Sequence, residues 1–468
     1  MSSSVEVAAW LLWVLALFAT WAIVEHILLP ALRWIVTHPA DQVIDELGER
    51  LRIAIRPFQR TRRQALIHRL VADPRVQEAA EEYARSKGVS VLVALAKVER
   101  FAREIVPAFN AYLYFRIGYW LSKKVAQTLY RVRLGYVDSA GIARIDPEAT
   151  VAFVMNHRSN MDYVLAGYLA ADQAALSYAV GEWARIWPLS ALIRAMGAYF
   201  VRRNSRDELY RRVLERYVAM ATEAGVPQAV FPEGGLTRDG RMREPRLGVL
   251  DYMLRGFRVD AGRDLVFVPI ALNYDRVLED RSLLLAANQE TAPRGSARAS
   301  WNTLRFLARN LLLMARSEWH RFGYACVNFG TPVSMREYCA SRGIDFQRLS
   351  GEPRRQATAE LGRHLMSAVG TIVPVVPVAL IATVFAAEPR RVFSSLELKT
   401  QAEDLLRRLE SAAAHVYLPR KDLDYAFSVG LRMLTLRRIV DDKRGLYRVR
   451  ESELPLLRYY ANSIAHLL

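Results

Sequence analysis

The alternation of apolar and polar positions divides this 468-residue chain into four stretches. The first is an unbroken apolar run over residues 8–24 with Trp10, Trp13 and Trp21, resumed over 27–36 after Glu25 and His26. Its 17 residues reach the short limit for a membrane span, and Pro30 interrupts the continuation. Residues 1–40 are therefore expected to form an uncleaved membrane anchor, with a helix lying in the interface as the rival reading. No Lys or Arg occurs in residues 1–32, whereas Arg33, Arg50, Arg52, Arg56, Arg60, Arg62 and Arg63 follow. A span would then leave the bulk of the chain on the cytoplasmic side of an inner membrane.

Residues 41–135 show helical spacing and a basic balance. Over 109–133, Tyr112, Tyr114, Phe115, Tyr119 and Trp120 interleave with Arg116, Lys123, Lys124, Arg131 and Arg133, which fits a helix lying among lipid headgroups or one packed on the next domain. Residues 136–345 alternate short apolar runs with amphipathic stretches, the pattern of a mixed α/β domain. Strands are expected near 150–155, 176–180, 198–201, 228–231, 265–273 and 323–328, and a loop at 292–298. Pro269 inside the run 265–273 predicts an edge strand or a bulge there. Residues 346–468 read as helical to the end, and the apolar run that follows Pro377 is too short to span a membrane and is expected to be a buried helix. The fold class is thus α/β, a mixed sheet flanked by helices, with an N-terminal anchor and helical N- and C-terminal regions.

Charge narrows the partners. Sixty-five Lys and Arg against 48 Asp and Glu give a net +17. Such an excess suits nucleic acid or anionic lipid. No zinc finger, RNP-type block or basic tail is present, so anionic membrane lipids are the simpler partner. Cys326 and Cys339 give no disulfide framework and fit a reducing compartment.

The chemistry concentrates in Asn156-His157-Arg158-Ser159-Asn160-Met161-Asp162-Tyr163, directly after an apolar strand run. On one continuous helix, five steps of about 100° would set His157 and Asp162 roughly 140° apart. With His157 in the turn before the helix, Asp162 can accept its Nδ1–H and leave Nε2 free as a base. A hydrogen-bonded turn with no catalytic role is the competing reading. No Gly-x-Ser-x-Gly elbow, Walker A loop or Cys/His pair with metal spacing offers another chemistry.

Three further segments follow: Gly197-Ala198-Tyr199-Phe200-Val201-Arg202-Arg203, then Phe231-Pro232-Glu233-Gly234-Gly235-Leu236-Thr237-Arg238, then Val268-Pro269-Ile270-Ala271-Leu272-Asn273-Tyr274-Asp275. Two arginines at a strand end suit a phosphate, because each guanidinium presents a planar fork of donors. Glu233 at a buried strand end needs a partner, and Gly234 permits close backbone approach. Together with the His-x4-Asp segment these blocks resemble the glycerolipid acyltransferases, in particular the bacterial glycerol-3-phosphate 1-O-acyltransferases. The resemblance runs from about residue 75 to the end, where Tyr459-Tyr460-Ala461-Asn462-Ser463-Ile464-Ala465-His466-Leu467 also looks like that family.

The resemblance implies that His157 is the general base on an acceptor hydroxyl and that Asp162 orients it, within a loop whose Arg158 and Ser159 border the substrate. It implies that Arg202, Arg203 and Arg238 hold the acceptor phosphate, that Glu233, Gly234 and Thr237 shape the acceptor site, and that Pro269 belongs to the acyl-donor side. The implied substrates are glycerol 3-phosphate, acylated at its sn-1 hydroxyl, and acyl-CoA or acyl-carrier protein as co-substrate, with no resident cofactor or metal. One position departs: the family's third block reads Glu-Gly-x-Arg-Ser-Arg, and here Leu236 and Thr237 stand for the first Arg and the Ser. Dihydroxyacetone phosphate or lysophosphatidate as acceptor therefore stays open. So does a non-catalytic membrane-surface protein, which a His157–Asp162 separation beyond hydrogen-bond reach would favour.

Overall fold

The computed structural model describes residues 55–468 except 171–174, 182–188, 203–204, 261 and 289–321, together with Phe18, Trp21 and Glu25. Those three residues aside, the anchor expected over 1–40 lies outside the described residues, as do Arg203 and the loop at 292–298. Among the described residues, no helix is long and apolar enough to cross a membrane.

The helices α1 (Arg63–Val71), α2 (Pro74–Lys87) and α3 (Val91–Ile105) precede the sheet. Asp73 caps α2 by accepting the Arg75 N–H, Pro74 occupies the first turn, and Gly88 closes the helix in the left-handed conformation. Ser90 caps α3, whose Val98, Phe101, Ala102 and Ile105 form its buried face. A π-helical turn, Leu113–Gly118, runs into α4 (Tyr119–Leu129). In this aromatic-basic stretch Tyr114 and Phe115 pack inward, while Trp120 is 57% exposed.

Helix ends at Leu129, short of the 133 expected from sequence, because the chain becomes strand β1 (Arg131–Val137). This strand was missed. It is a mostly exposed edge strand whose charged and apolar residues mix without a clean apolar face. The boundary expected at 136 therefore cuts through it.

The remaining strands of the main sheet are β2 (Thr150–Met155), β3 (Ser177–Val180), β4 (Ala198–Phe200), β5 (Gln228–Val230), β6 (Leu265–Tyr274), β7 (Tyr324–Phe329) and β8 (Val333–Ser334). Their order is β1-β7-β6-β2-β5-β3-β4, with β8 also on β6. The run β6-β2-β5-β3-β4 is parallel throughout, whereas β7 and β8 run antiparallel to β6. The architecture is a mixed α/β layer structure with a predominantly parallel sheet. In β2 every residue is buried, and alternate side chains serve opposite faces. Val151, Phe153 and Met155 enter the core shared with α4 and the C-terminal helices. Ala152 and Val154 enter the core shared with α1–α3, α6 (Glu208–Glu223) and α7 (Gly248–Arg255). Helix α5 (Met161–Ala170) follows β2 and packs on α4.

The edge-strand alternative at Pro269 is corrected: β6 is central, flanked by β2 on one side and by β7 and β8 on the other, while the antiparallel register slips by one residue beside the proline, from Ile270 opposite Phe329 to Phe267 opposite Val333. Antiparallel pairing with β7 covers Ile270 to Tyr274, and pairing with β8 covers Val266 and Phe267. Pro269 falls between them, and its carbonyl accepts the Gly330 N–H at 2.8 Å. Its missing N–H faces the same way, so the return bond to the Gly330 carbonyl is lost at the end of the β7 ladder, where the register slips.

After α8 (Asp280–Asn288) and α9 (Gly351–Thr371), helix α10 (Pro377–Ala387) is buried over most of its length, with the Val378 N–H donated to Asp275. α11 (Ser395–Ser411), α12 (Leu423–Leu436) and α13 (Leu454–Ala461) complete the C-terminal region. The expectation of helix alone there is corrected by a small antiparallel sheet of β9 (Phe393–Ser394), β10 (Val440–Lys443) and β11 (Leu446–Val449). These strands are two to four residues long and mix buried Phe393, Val440 and Val449 with exposed positions, too short for an alternation to mark them.

Candidate active site

The parallel strands β2, β5 and β6 end side by side, and the crevice outside such carboxyl ends is where open α/β sheets bind ligands. The side chain of Asn156 continues β2 by one step. Its Nδ2 donates to the Leu272 carbonyl at 2.9 Å and its Oδ1 accepts the Leu272 N–H at 2.8 Å. A side-chain amide thus replaces the next backbone rung on β6 and frees the main chain to turn at His157.

His157 lies in that turn, and Asp162 in the first turn of α5. Their Nδ1 and Oδ2 are 2.9 Å apart. An ionised carboxylate only accepts, so Nδ1 carries the proton and Nε2 presents a lone pair. Among the described residues Nε2 has no hydrogen-bond partner, although the imidazole is buried. Phe231 lies 4.3 Å from the imidazole centroid and Tyr163 meets it edge-on at 5.4 Å, giving the base apolar walls. Asp162 Oδ2 also accepts the N–H groups of Arg158 at 2.7 Å and Ser159 at 3.0 Å. Its Oδ1 accepts the Tyr274 hydroxyl at 2.5 Å.

The other sequence-identified residues distribute as follows. Arg158 is buried, donates through Nη2 to the Gly240 carbonyl at 3.2 Å, and sits over the Tyr459 ring. Ser159 Oγ donates to Glu279 at 2.8 Å. Glu233 accepts the backbone N–H of His157 at 2.9 Å and that of Arg243 at 3.1 Å. Burial pushes its carboxyl up to about 7, against the pull of those two donors and of Arg158. Gly234 takes a φ of +66°, and a Cβ there would lie 2.4 Å from Arg246 Cδ. Thr237 donates its N–H to the His157 carbonyl at 3.0 Å and its hydroxyl to the Arg241 carbonyl at 2.7 Å. It is a buried turn residue, while Arg238 is exposed beside it. Arg202 stands at the end of β4 and gives both prongs of its fork to Glu104, at 2.8 and 2.6 Å, over the rings of Phe101 and Tyr210. Pro269 lies inside β6, five residues before Tyr274.

Sequence reasoning did not assign roles to Tyr274, Glu279 or Asn156. Tyr274 and Asn156 lie within or beside the quoted blocks. Glu279 carried no such signal and is recognisable only through its contacts. Burial also raises the Glu279 carboxyl, which accepts Ser159 Oγ and the side-chain and backbone nitrogens of Asn160. No group of three or more His, Cys, Asp or Glu side chains able to hold a metal occurs among the described residues. The arrangement can take a proton at Nε2 of a buried, carboxylate-oriented imidazole.

Comparison with known proteins bears on what gives up that proton. Residues 137–273 match the family described as Acyltransferase, and residues 308–468 match the Glycerol-3-phosphate acyltransferase C-terminal region. A glycerol-3-phosphate acyltransferase of Actinobacillus succinogenes is 25% identical over 446 residues, covering 92% of this chain and 52% of its own. That of Shewanella woodyi is 25% identical over 423 residues, covering 87% and 50%. That of Pseudomonas putida is 27% identical over 426 residues, covering 86% and 49%. This chain spans about half the length of these curated relatives. The crystal structure of the lysophosphatidate acyltransferase PlsC from Thermotoga maritima aligns with a TM-score of 0.30 at 18% identity, over 54% of this chain and 78% of that one, too weakly to carry an argument. The sequence matches bear out the resemblance to glycerol-3-phosphate acyltransferases and mark an acyltransferase domain in this chain.

Proposed function

We propose that this chain, a relative of the glycerol-3-phosphate acyltransferases, moves a fatty acyl group from an acyl thioester to a hydroxyl of glycerol 3-phosphate, the sn-1 hydroxyl by resemblance. The observation that carries the reading is the unpartnered Nε2 of a buried imidazole whose Nδ1 is held by Asp162. Nε2 takes the hydroxyl proton as the oxygen attacks the thioester carbonyl. The tetrahedral adduct collapses, the C–S bond breaks, and the thiolate recovers the proton from the imidazolium. An acyl-CoA or acyl-carrier protein already carries an activated acyl group, so the scheme calls on no resident cofactor. Positioning two substrates at one base supplies much of the rate.

Arg203 and Arg238 are the proposed phosphate holders. Arg202 is left to its ion pair. Leu236 makes dihydroxyacetone phosphate and lysophosphatidate the competing acceptors. The 2.9 Å His157–Asp162 contact supports this reading over a binding protein without catalysis. The reading includes action at the cytoplasmic face of a membrane rich in anionic lipid, in keeping with the basic balance and the apolar run over 8–24.

The test is acyl transfer by the full chain in detergent and lipid, with the three acceptors, each supplied with acyl-CoA and with acyl-carrier protein. A product that His157→Ala abolishes, with the fold retained, is expected. Undiminished transfer by a folded His157→Ala protein would overturn the mechanism.

A further inference from the structure

The His-x4-Asp pair does not hold itself in place. Asp162 is fully buried, and its Oδ2 is shared by three N–H donors of its own loop. Its Oδ1 takes the hydroxyl of Tyr274, which is 112 residues away. Without that donor the carboxylate would keep a buried oxygen unsatisfied and could turn about its own axis, loosening its hold on Nδ1.

Tyr274 is itself held by its neighbours. It is the last residue of β6, its N–H goes to Asn273 Oδ1 at 2.9 Å, and its ring rests against Tyr130 at 5.3 Å. Five residues on, Glu279 grips the same loop from the other side: Oε2 accepts Ser159 Oγ at 2.8 Å and Oε1 accepts Asn160 Nδ2 at 3.0 Å. The segment that carries them is pinned to the C-terminal region. The Val277 N–H donates to Tyr460 Oη at 3.2 Å, and Asp280 receives both Tyr460 Oη and Arg437 Nη2.

We propose that Tyr274 is a positioning residue for the His157 base, fixing the second oxygen of Asp162 while Glu279 fixes the loop that carries it. The proposal rests on the acyltransferase reading for its kinetic form, though not for its geometry. Tyr274 remains a donor through neutral pH, because burial and then the Asp162 charge push its phenol well above its ordinary range. The titratable groups around Asp162 are His157 and Arg158 in its loop, Tyr274 at the end of β6, Glu279 beyond it and Glu233 after β5, with Tyr130 against the Tyr274 ring. Removing the Tyr274 hydroxyl concentrates negative charge on Oδ2 and favours the protonated imidazole.

Two variants of the full chain test this, read against wild type and Asp162→Asn. Tyr274→Phe should lower kcat about tenfold or more, leave the glycerol 3-phosphate KM within about twofold, and move the acid limb of the pH–rate profile to higher pH. Replacing Tyr274 with 3-fluorotyrosine keeps the ring and strengthens the donor, and should move that limb to lower pH. It also serves if Tyr274→Phe does not fold. A purely packing role predicts no shift in either variant, and that result overturns the proposal. If wild type transfers no acyl group to any acceptor, the functional reading falls. The positioning claim is then judged by C2 hydrogen–deuterium exchange of His157 against pH, followed by mass spectrometry. Opposite displacements in the two variants support it, and coincident curves overturn it.

Discussion

Glu233 holds the main chain of His157: its Oε1 accepts the His157 N–H at 2.9 Å, and its Oε2 takes the Arg243 N–H. The carboxylate thereby ties the end of β5 to the end of β2, at the residue that carries the base.

Burial raises the Glu233 carboxyl from 4.5 to about 7, so the sign of its pH effect is set. Between those values the folded chain binds a proton that the unfolded chain has released, and stability falls as pH rises. This contribution is fully present below about 4.5 and gone above about 7. Glu233→Gln cannot titrate. The difference in melting temperature, wild type minus Glu233→Gln, should therefore shrink from pH 4.5 to 7.5, and parallel melting curves across that range would contradict the assignment. Asp275, also raised by burial to about 7, is present in both proteins and cancels.

Asp162→Asn preserves shape but presents the imidazole with an amide that can favour the wrong tautomer. By analogy with other His–Asp pairs the loss in kcat/KM should be roughly a thousandfold or more. A loss below tenfold would mean that the loop backbone, not the carboxylate charge, orients His157.

Arg202 spends both prongs on Glu104, in a pair that is 31% and 14% exposed. Arg202→Ala should cost about 1–3 kcal/mol of stability, above a surface pair and below a fully buried one. The glycerol 3-phosphate KM should stay within about threefold. A KM rise of tenfold with an unchanged melting temperature would put the guanidinium on the phosphate.

Arg437 pairs with Asp280 almost out of contact with water. Arg437→Ala strands a buried carboxylate and should destabilise by about 3–5 kcal/mol. Asp280→Asn added to it should recover part of the loss. Chemical denaturation of the three proteins checks this, and additive losses would disprove the pairing.

The sequence was most legible where one local pattern sufficed. The run before His157 reads as a buried strand, and the five-residue spacing to Asp162 forces a turn between them. The apolar run after Pro377 reads correctly as buried because it is too short to span a membrane. Contacts that join distant segments were not legible. Nothing near Arg202 in the chain announces Glu104, 98 residues earlier on α3. Tyr274 reaches Asp162 only because β6 lies beside β2 with both pointing the same way. Strand β1 hid behind its charges, and the small sheet after α10 behind the shortness of its strands.

Pro269 has a consequence for that last contact. A strand of alternating burial can slide along its neighbours by two residues and still present the same side chains to the same face. β6 cannot do so freely, since a slide into the β7 ladder would bring a nitrogen without hydrogen opposite an interior carbonyl that expects a donor. The proline therefore works as an alignment pin. By setting where β6 stops along β2, it sets where the Tyr274 hydroxyl stops relative to Asp162, five residues downstream and on another strand's loop.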